Sequence, residues 1–290
     1  MFRTFDAPSD ASLIPERVKR LRALMADEGL AALLLPRGDE HQGEYVAPCS
    51  ERLRWLTGFS GSAGLATITR RHAGLFVDGR YTVQARAECG GGLFDFPGLA
   101  RTALAPWLKD KLKSGDTVGF DPWLHTVSEI ERLGALLKPA GLTLKPTRRN
   151  LVDVIWGKDR PASPDGPVVP HPIKYSGRSA EAKIAAVQKA LKEAGQDAVV
   201  LTAPDSVCWL LNIRGRDVAH NPVVLAFAIV PASRTHGARP AIAPATQATP
   251  HAIASAASVG RITSLAMSAT RTPGRFRIVS QTTNPTVNPP

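Results

Sequence analysis

The sequence predicts an α/β chain of two tandem domains built on one plan, mixed sheets flanked by helices, with the second copy incomplete and a disordered tail behind it. Three observations predict it. Short continuous apolar runs alternate with helical periodicity. The order helix, glycine, apolar run, Trp-Leu motif, apolar run occurs twice. Near residue 231 the composition changes abruptly to Ala, Pro, Thr, Ser and Arg with little apolar periodicity.

Pro15-Glu16-Arg17 opens a helix, with proline in the first turn and an acid beside it. Val18, Leu21, Leu24 and Met25 recur at helical spacing, and Gly29 stops the helix. Leu30 to Leu35 then reads as a strand covered on both faces. Charged, aromatic and glycine residues crowd between this run and the next, from Pro36 to Tyr45 and from Arg54 to Gly64, as in a surface loop carried on buried strands. The glycine spacing in Gly58-Phe59-Ser60-Gly61-Ser62-Ala63-Gly64 fits neither a Lys-containing phosphate loop nor a dinucleotide fingerprint. Leu65 to Thr69 and Ala73 to Val77 form a hairpin, closed by Asp78-Gly79. Helices follow at Arg80 to Ala87 and Leu104 to Leu112, then a strand at Thr117 to Phe120, an amphipathic helix at Val127 to Leu137 and a strand at Leu142 to Leu144. Asn150 to Trp156 closes a first domain, residues 1–156. Residues 157–177, rich in Pro and Gly, are a linker.

The second copy, residues 178–230, holds a helix from Ser179 to Ala194, a strand from Ala198 to Leu201, the motif Cys208-Trp209-Leu210-Leu211-Asn212 and the apolar run Val223 to Val230. Copy one continues into a hairpin partner; copy two has none in sequence. Residues 231–290 therefore read either as a shifted reading frame or as a genuine disordered tail. An exposed apolar patch is expected around Val223 to Val230. Trp55 and Trp209, at matching places in the repeat, are expected as core anchors.

The net charge is +11, but six arginines beyond residue 230 supply six of those charges, and no Asp or Glu follows Asp217. About five charges remain for residues 1–230, an ordinary balance that argues against nucleic-acid binding. No apolar run is long enough to span a membrane. The acidic N-terminus is no secretory signal, and Cys49, Cys89 and Cys208 fit reduced thiols without metal-ligand spacing, which together predict a cytoplasmic protein.

The stretches Asp39-Glu40-His41-Gln42-Gly43-Glu44-Tyr45-Val46-Ala47-Pro48, Thr57 to Gly64, Asp78-Gly79-Arg80-Tyr81, Asn150 to Trp156 and Trp209 to Gly215 resemble the N-terminal half of the cytosolic Xaa-Pro aminopeptidases of the creatinase and prolidase superfamily. The resemblance implies two creatinase-type N-terminal domains. It also implies a C-terminal catalytic domain holding two manganese ions on two Asp, one His and two Glu. After Asp217 this chain has no such carboxylates, so no metal, no cofactor and no catalytic residue is expected in it, and His236 and His251 are no substitutes. It is expected to be inactive as it stands and to meet a peptide substrate only if a catalytic domain is supplied. Arg80 is the residue the resemblance implicates in contacting substrate, a role its rigid fork of donors suits; pairing with Asp78 is the other reading. His41 and His220 are expected in structural hydrogen bonds, and Arg214, Arg216, Asp217 and His220 in a polar cluster. A homodimer through the N-terminal domains, making the chain a non-catalytic interaction module, is the alternative function, and a basic tail binding acidic polymers a further one.

Overall fold

The first strand is buried on both faces because its alternate side chains feed two separate apolar clusters. In the computed structural model, which describes residues 11–89, 92–233, 242–244 and 262–264, the chain divides into two units. One comprises residues 1–40 and 48–162, the other residues 41–47 and 163–290.

The first unit begins with α1 (Ile14–Asp27), whose Ile14, Val18, Leu21 and Met25 form the buried stripe. There follow β1 (Ala32–Pro36), α2 (Arg52–Thr57), β2 (Gly64–Thr69), β3 (Ala73–Val77), α3 (Thr82–Glu88) and α4 (Ala100–Lys111). Next come β4 (Thr117–Phe120), α5 (Val127–Leu137), β5 (Thr143–Pro146) and α6 (Leu151–Trp156). The strand order is β3-β2-β1-β4-β5, with β1 antiparallel to β2 and parallel to β4. Leu33 and Leu35 pack with α1, α2 and α6 on one face. Ala32 and Leu34 pack with Trp107, Leu108 and Leu137 of α4 and α5 on the other. A capping box starts α5, where Thr126 accepts from the Glu129 amide and Glu129 accepts from the Thr126 amide. The short α2 has no pattern of its own in the sequence.

The turn before α5 carries a half-buried histidine. The His125 ring meets Phe120 edge-on at 5.8 Å, and its Nε2 is buried without a hydrogen-bond partner among the described residues. Burial lowers its pKa from the ordinary 6.5 to about 4, against a weaker pull upward from Glu129. The unfolded chain therefore takes up the proton first, so the stability His125 contributes is whole above about pH 6.5 and declines as pH falls towards 4. Urea unfolding at pH 7 and pH 4.5 should show wild type losing up to about 3 kcal/mol more than His125→Gln. Equal acid sensitivity would remove His125 from the account.

The second unit contains β6 (Val169–Pro170), α7 (Ile173–Ser176), α8 (Ala180–Glu193), β7 (Ala198–Leu201), α9 (Pro204–Leu211) and β8 (Ile213–Arg214). They are followed by β9 (Ala226–Pro231), β10 (Ile242–Pro244) and β11 (Ile262–Ser264). Residues 157–177, expected as a linker, thus carry β6 and α7, and β6 pairs with β8. The main sheet has the order β10-β9-β7-β11. Its centre β7 runs antiparallel to β9 and parallel to β11, and β9 is antiparallel to β10. This is the β3-β2-β1-β4 pattern of the first unit, strand for strand. The reading of copy two as lacking a hairpin partner is therefore corrected: β10 takes that place. The expected structureless tail, residues 231–290, lies mostly outside the described residues, and its described segments 242–244 and 262–264 are strands. The patch expected around Val223 to Val230 is corrected too. Val224, Ala226, Phe227, Ala228 and Val230 are buried, because β9 is an interior strand of this sheet.

Candidate functional site

The Gly58 to Gly64 loop, Tyr81 and α3 form one tied surface in the first unit. Ser60 donates from its amide and its hydroxyl to Glu88, at 2.8 and 2.5 Å, and accepts from Gln84 at 2.9 Å. Ser62 shares a 2.9 Å hydrogen bond with the Tyr81 hydroxyl, which lowers the pKa of Tyr81. The Tyr81 ring meets Phe59 edge-on at 5.7 Å. A Cβ on Gly61 would lie 2.2 Å from the Phe59 ring, so the loop closes over that ring only with glycine there.

Arg80 stands on this surface. Its side chain is 68% exposed, and its Nε donates to Asp78 Oδ1 at 2.7 Å while its amide donates to the same oxygen at 3.0 Å. These bonds, the amide's first, hold the Asp78 carboxyl below the usual carboxylate range. The Arg80 guanidinium also lies 5.3 Å from the Tyr81 ring centroid. Pairing with Asp78, the second reading of Arg80, is what the geometry displays.

The first unit also holds a buried polar network that has little signature in the sequence. Arg52, 2% exposed, donates from Nε and Nη2 to both Asp153 oxygens at 2.7 and 3.0 Å, and from Nη2 to Glu40 at 3.0 Å. Arg160 adds a 2.8 Å bond to Asp153 and donates to the Cys49 carbonyl. Burial works against the Arg52 charge, but the Asp153 hydrogen bond and the Asp153 and Glu40 charges raise its pKa. Asn150 positions Asp153: its Oδ1 accepts from the Val152 and Asp153 amides, starting α6, and its Nδ2 donates to Asp121. The cap-like spacing of Asn150 and Asp153 was the one available signal; the partner Arg52, 101 residues away, had none.

In the second unit the histidine readings divide. His41 is buried, stacked on Phe227 at 4.5 Å, with Nδ1 2.9 Å from the Thr202 carbonyl oxygen, a structural role as expected. His220 is an exposed turn residue with a left-handed backbone, φ 64, because Val218 bridges Asn221 around it. The expected polar cluster does not converge. Arg214 turns to the carbonyls of Ile213 and Cys208, Asp217 turns inward to the Leu225 amide, and Arg216 and His220 are exposed.

The tryptophans differ as well. Trp55 stacks on Trp156 at 5.0 Å, with the Arg17 guanidinium 4.6 Å from its ring. Trp209 is 51% exposed, so its reading as a core anchor is corrected. Its ring covers Lys183, which is 1% exposed and donates to the Trp209 carbonyl at 2.8 Å and to Asn212 Oδ1 at 2.6 Å. Desolvation, then the Arg214 and Arg178 charges, lower the Lys183 pKa.

Among the described residues no three His, Cys, Asp or Glu side chains converge to hold a metal ion, and no helix is long and apolar enough to cross a membrane. Two models described as Creatinase/Prolidase N-terminal domain match residues 17–153 and 159–238. The chain is similar to the probable Xaa-Pro aminopeptidase P of Paracoccidioides brasiliensis (strain Pb03), 38% identical over 222 residues, covering 74% of this chain and 35% of that relative. It is equally similar to that of Aspergillus flavus, 38% identical over 227 residues, covering 76% of this chain and 34% of the relative. It thus spans about a third of the length of the curated relatives it matches. Its structure is similar to the X-prolyl aminopeptidase from Caenorhabditis elegans, described as a cytosolic enzyme with a di-nuclear active site. The TM-score is 0.72 with 29% identity, over 91% of this chain and 43% of that one. Matched in both copies of its repeat, the chain belongs to the creatinase/prolidase N-terminal domain family.

Proposed function

We propose that this chain acts as the N-terminal portion of a cytoplasmic Xaa-Pro aminopeptidase and, taken alone, does not hydrolyse peptides. The observation that carries this reading is the distribution of carboxylates. A di-nuclear centre such as the one named for the Caenorhabditis elegans enzyme needs several oxygen ligands. No Asp or Glu follows Asp217, and no group of three ligands converges among the described residues, so the residues present do not fit such a centre. Arg80 then serves binding rather than chemistry: its guanidinium, oriented by Asp78, offers donors to the carbonyl or carboxylate oxygens of a peptide once a catalytic domain is supplied.

Pairing with a second copy is the accompanying proposal. Trp209, Tyr175 and Ile173 of the second unit are 51%, 67% and 59% exposed, the residue types that anchor interfaces. The purified chain with manganese should release no N-terminal residue from an Arg-Pro-Pro peptide, and sedimentation should find a dimer. Release abolished by a chelator would overturn the non-catalytic reading, and a monomer at all concentrations would overturn the pairing.

A further inference from the structure

On the α3 and α4 side of the first unit lies a cleft of about 440 Å³, within the range of small-molecule sites. Its walls are held in place from several directions. Trp107 of α4 lies over β3, where Gly74 leaves room: a Cβ there would be 3.0 Å from the indole. The indole N–H donates to Asp95 Oδ2 at 3.1 Å, and Phe76 meets the ring edge-on at 5.7 Å. Asp95 is fixed in turn by backbone bonds to Leu75 and Ala73 of β3, both 2.8 Å. Pro97 and Phe96 complete an apolar floor, and the Arg86 guanidinium lies 5.1 Å from the Phe96 centroid.

The charges at the rim are unequal in their partners. Lys111 is paired with Asp110 at 3.0 Å and also feels Asp95. Arg86 is exposed, and among the described residues no carboxylate pairs with it. Asp95, the exposed carboxylate of the lining, accepts from the Trp107 indole, so the apolar floor beside the forked Arg86 cation favours a ligand with an apolar ring whose anionic end lies at Arg86.

We propose that this cleft binds a small apolar carboxylate, its anionic end on Arg86 and its ring against Trp107 and Pro97. The site needs no metal and is independent of the peptidase reading.

The Trp107 indole N–H, inside the site, is the reporter. Its resonance in a ¹⁵N–¹H spectrum of the full chain, assigned with Trp107→Phe, should shift saturably as 3-phenylpropionate is added to about 10 mM, the weak affinity that a ligand of this size allows. The exposed Arg86→Gln change and the uncharged 3-phenylpropanamide should each weaken binding about tenfold, the loss of one charge-assisted hydrogen bond. Lys111→Gln, whose partner is Asp110, should change it less than about twofold. No shift at the highest concentration, equal binding of acid and amide, or wild-type affinity in Arg86→Gln would each overturn the proposal.

Discussion

Asp153→Ala should destabilise the first unit by about 3–5 kcal/mol, the loss expected when one partner of a buried ion pair is removed. The direction follows from which charge is left behind. Asp153 accepts from two guanidiniums, and its removal leaves Arg52, 2% exposed, with Glu40 alone to answer its charge. Arg52→Met, which removes the buried cation but keeps most of its volume, should cost much less, because Glu40 and Asp153 are each about a fifth exposed and can be hydrated. Urea unfolding of both variants checks the ordering. Asp153→Ala proving no worse than Arg52→Met would mean that the network is not held by charge.

Lys183→Ala should cost the second unit about 3–4 kcal/mol. Two effects add. The four-carbon stem leaves a cavity beneath Trp209, and the ammonium's bonds to the Trp209 carbonyl and Asn212 Oδ1 are lost where water reaches poorly. Asn212 sits at the end of α9 with a left-handed backbone, φ 51, and its Nδ2 donates to the Arg178 carbonyl. Lys183 therefore ties α8 to the end of α9 through that residue. Lys183→Met should recover the packing share, roughly half, but not the hydrogen bonds. Thermal unfolding with Lys183→Met equal to wild type would show that the stem alone matters.

Wherever one segment dictated its own structure, the sequence was readable. The strands at Thr117–Phe120 and Ala198–Leu201 and the helix at Val127–Leu137 lie where apolar runs and spacing placed them. The duplicated plan was legible because helix and buried strand recur in the same order. What stayed hidden depends on distant partners. The Trp equivalence misled, since Trp55 has Trp156 to stack on, whereas Trp209, half exposed, lies over the buried end of Lys183. A lysine at position 183 reads as a solvated residue, yet it lies one and two i,i+4 steps from Val187 and Leu191 on the face that packs inward. The strands β10 and β11 have no alternating pattern to announce them; their place comes from β9 and β7. Arg80 read as the first residue of a helix, but it lies in the turn Gly79–Tyr81 that precedes α3, and its orientation by Asp78 is a matter of three residues in that turn.

Seven residues, 41–47, sit in the sequence of the first unit and count with the second, where His41 stacks on Phe227. The two halves of this repeat are consequently not separable modules at the level of the gene. A fragment beginning at residue 163 keeps every helix and strand of the second unit but loses the ring that covers Phe227, and a fragment ending at 162 carries a segment without its host. Recombination or truncation at the apparent domain border would leave a defect on both sides of the cut.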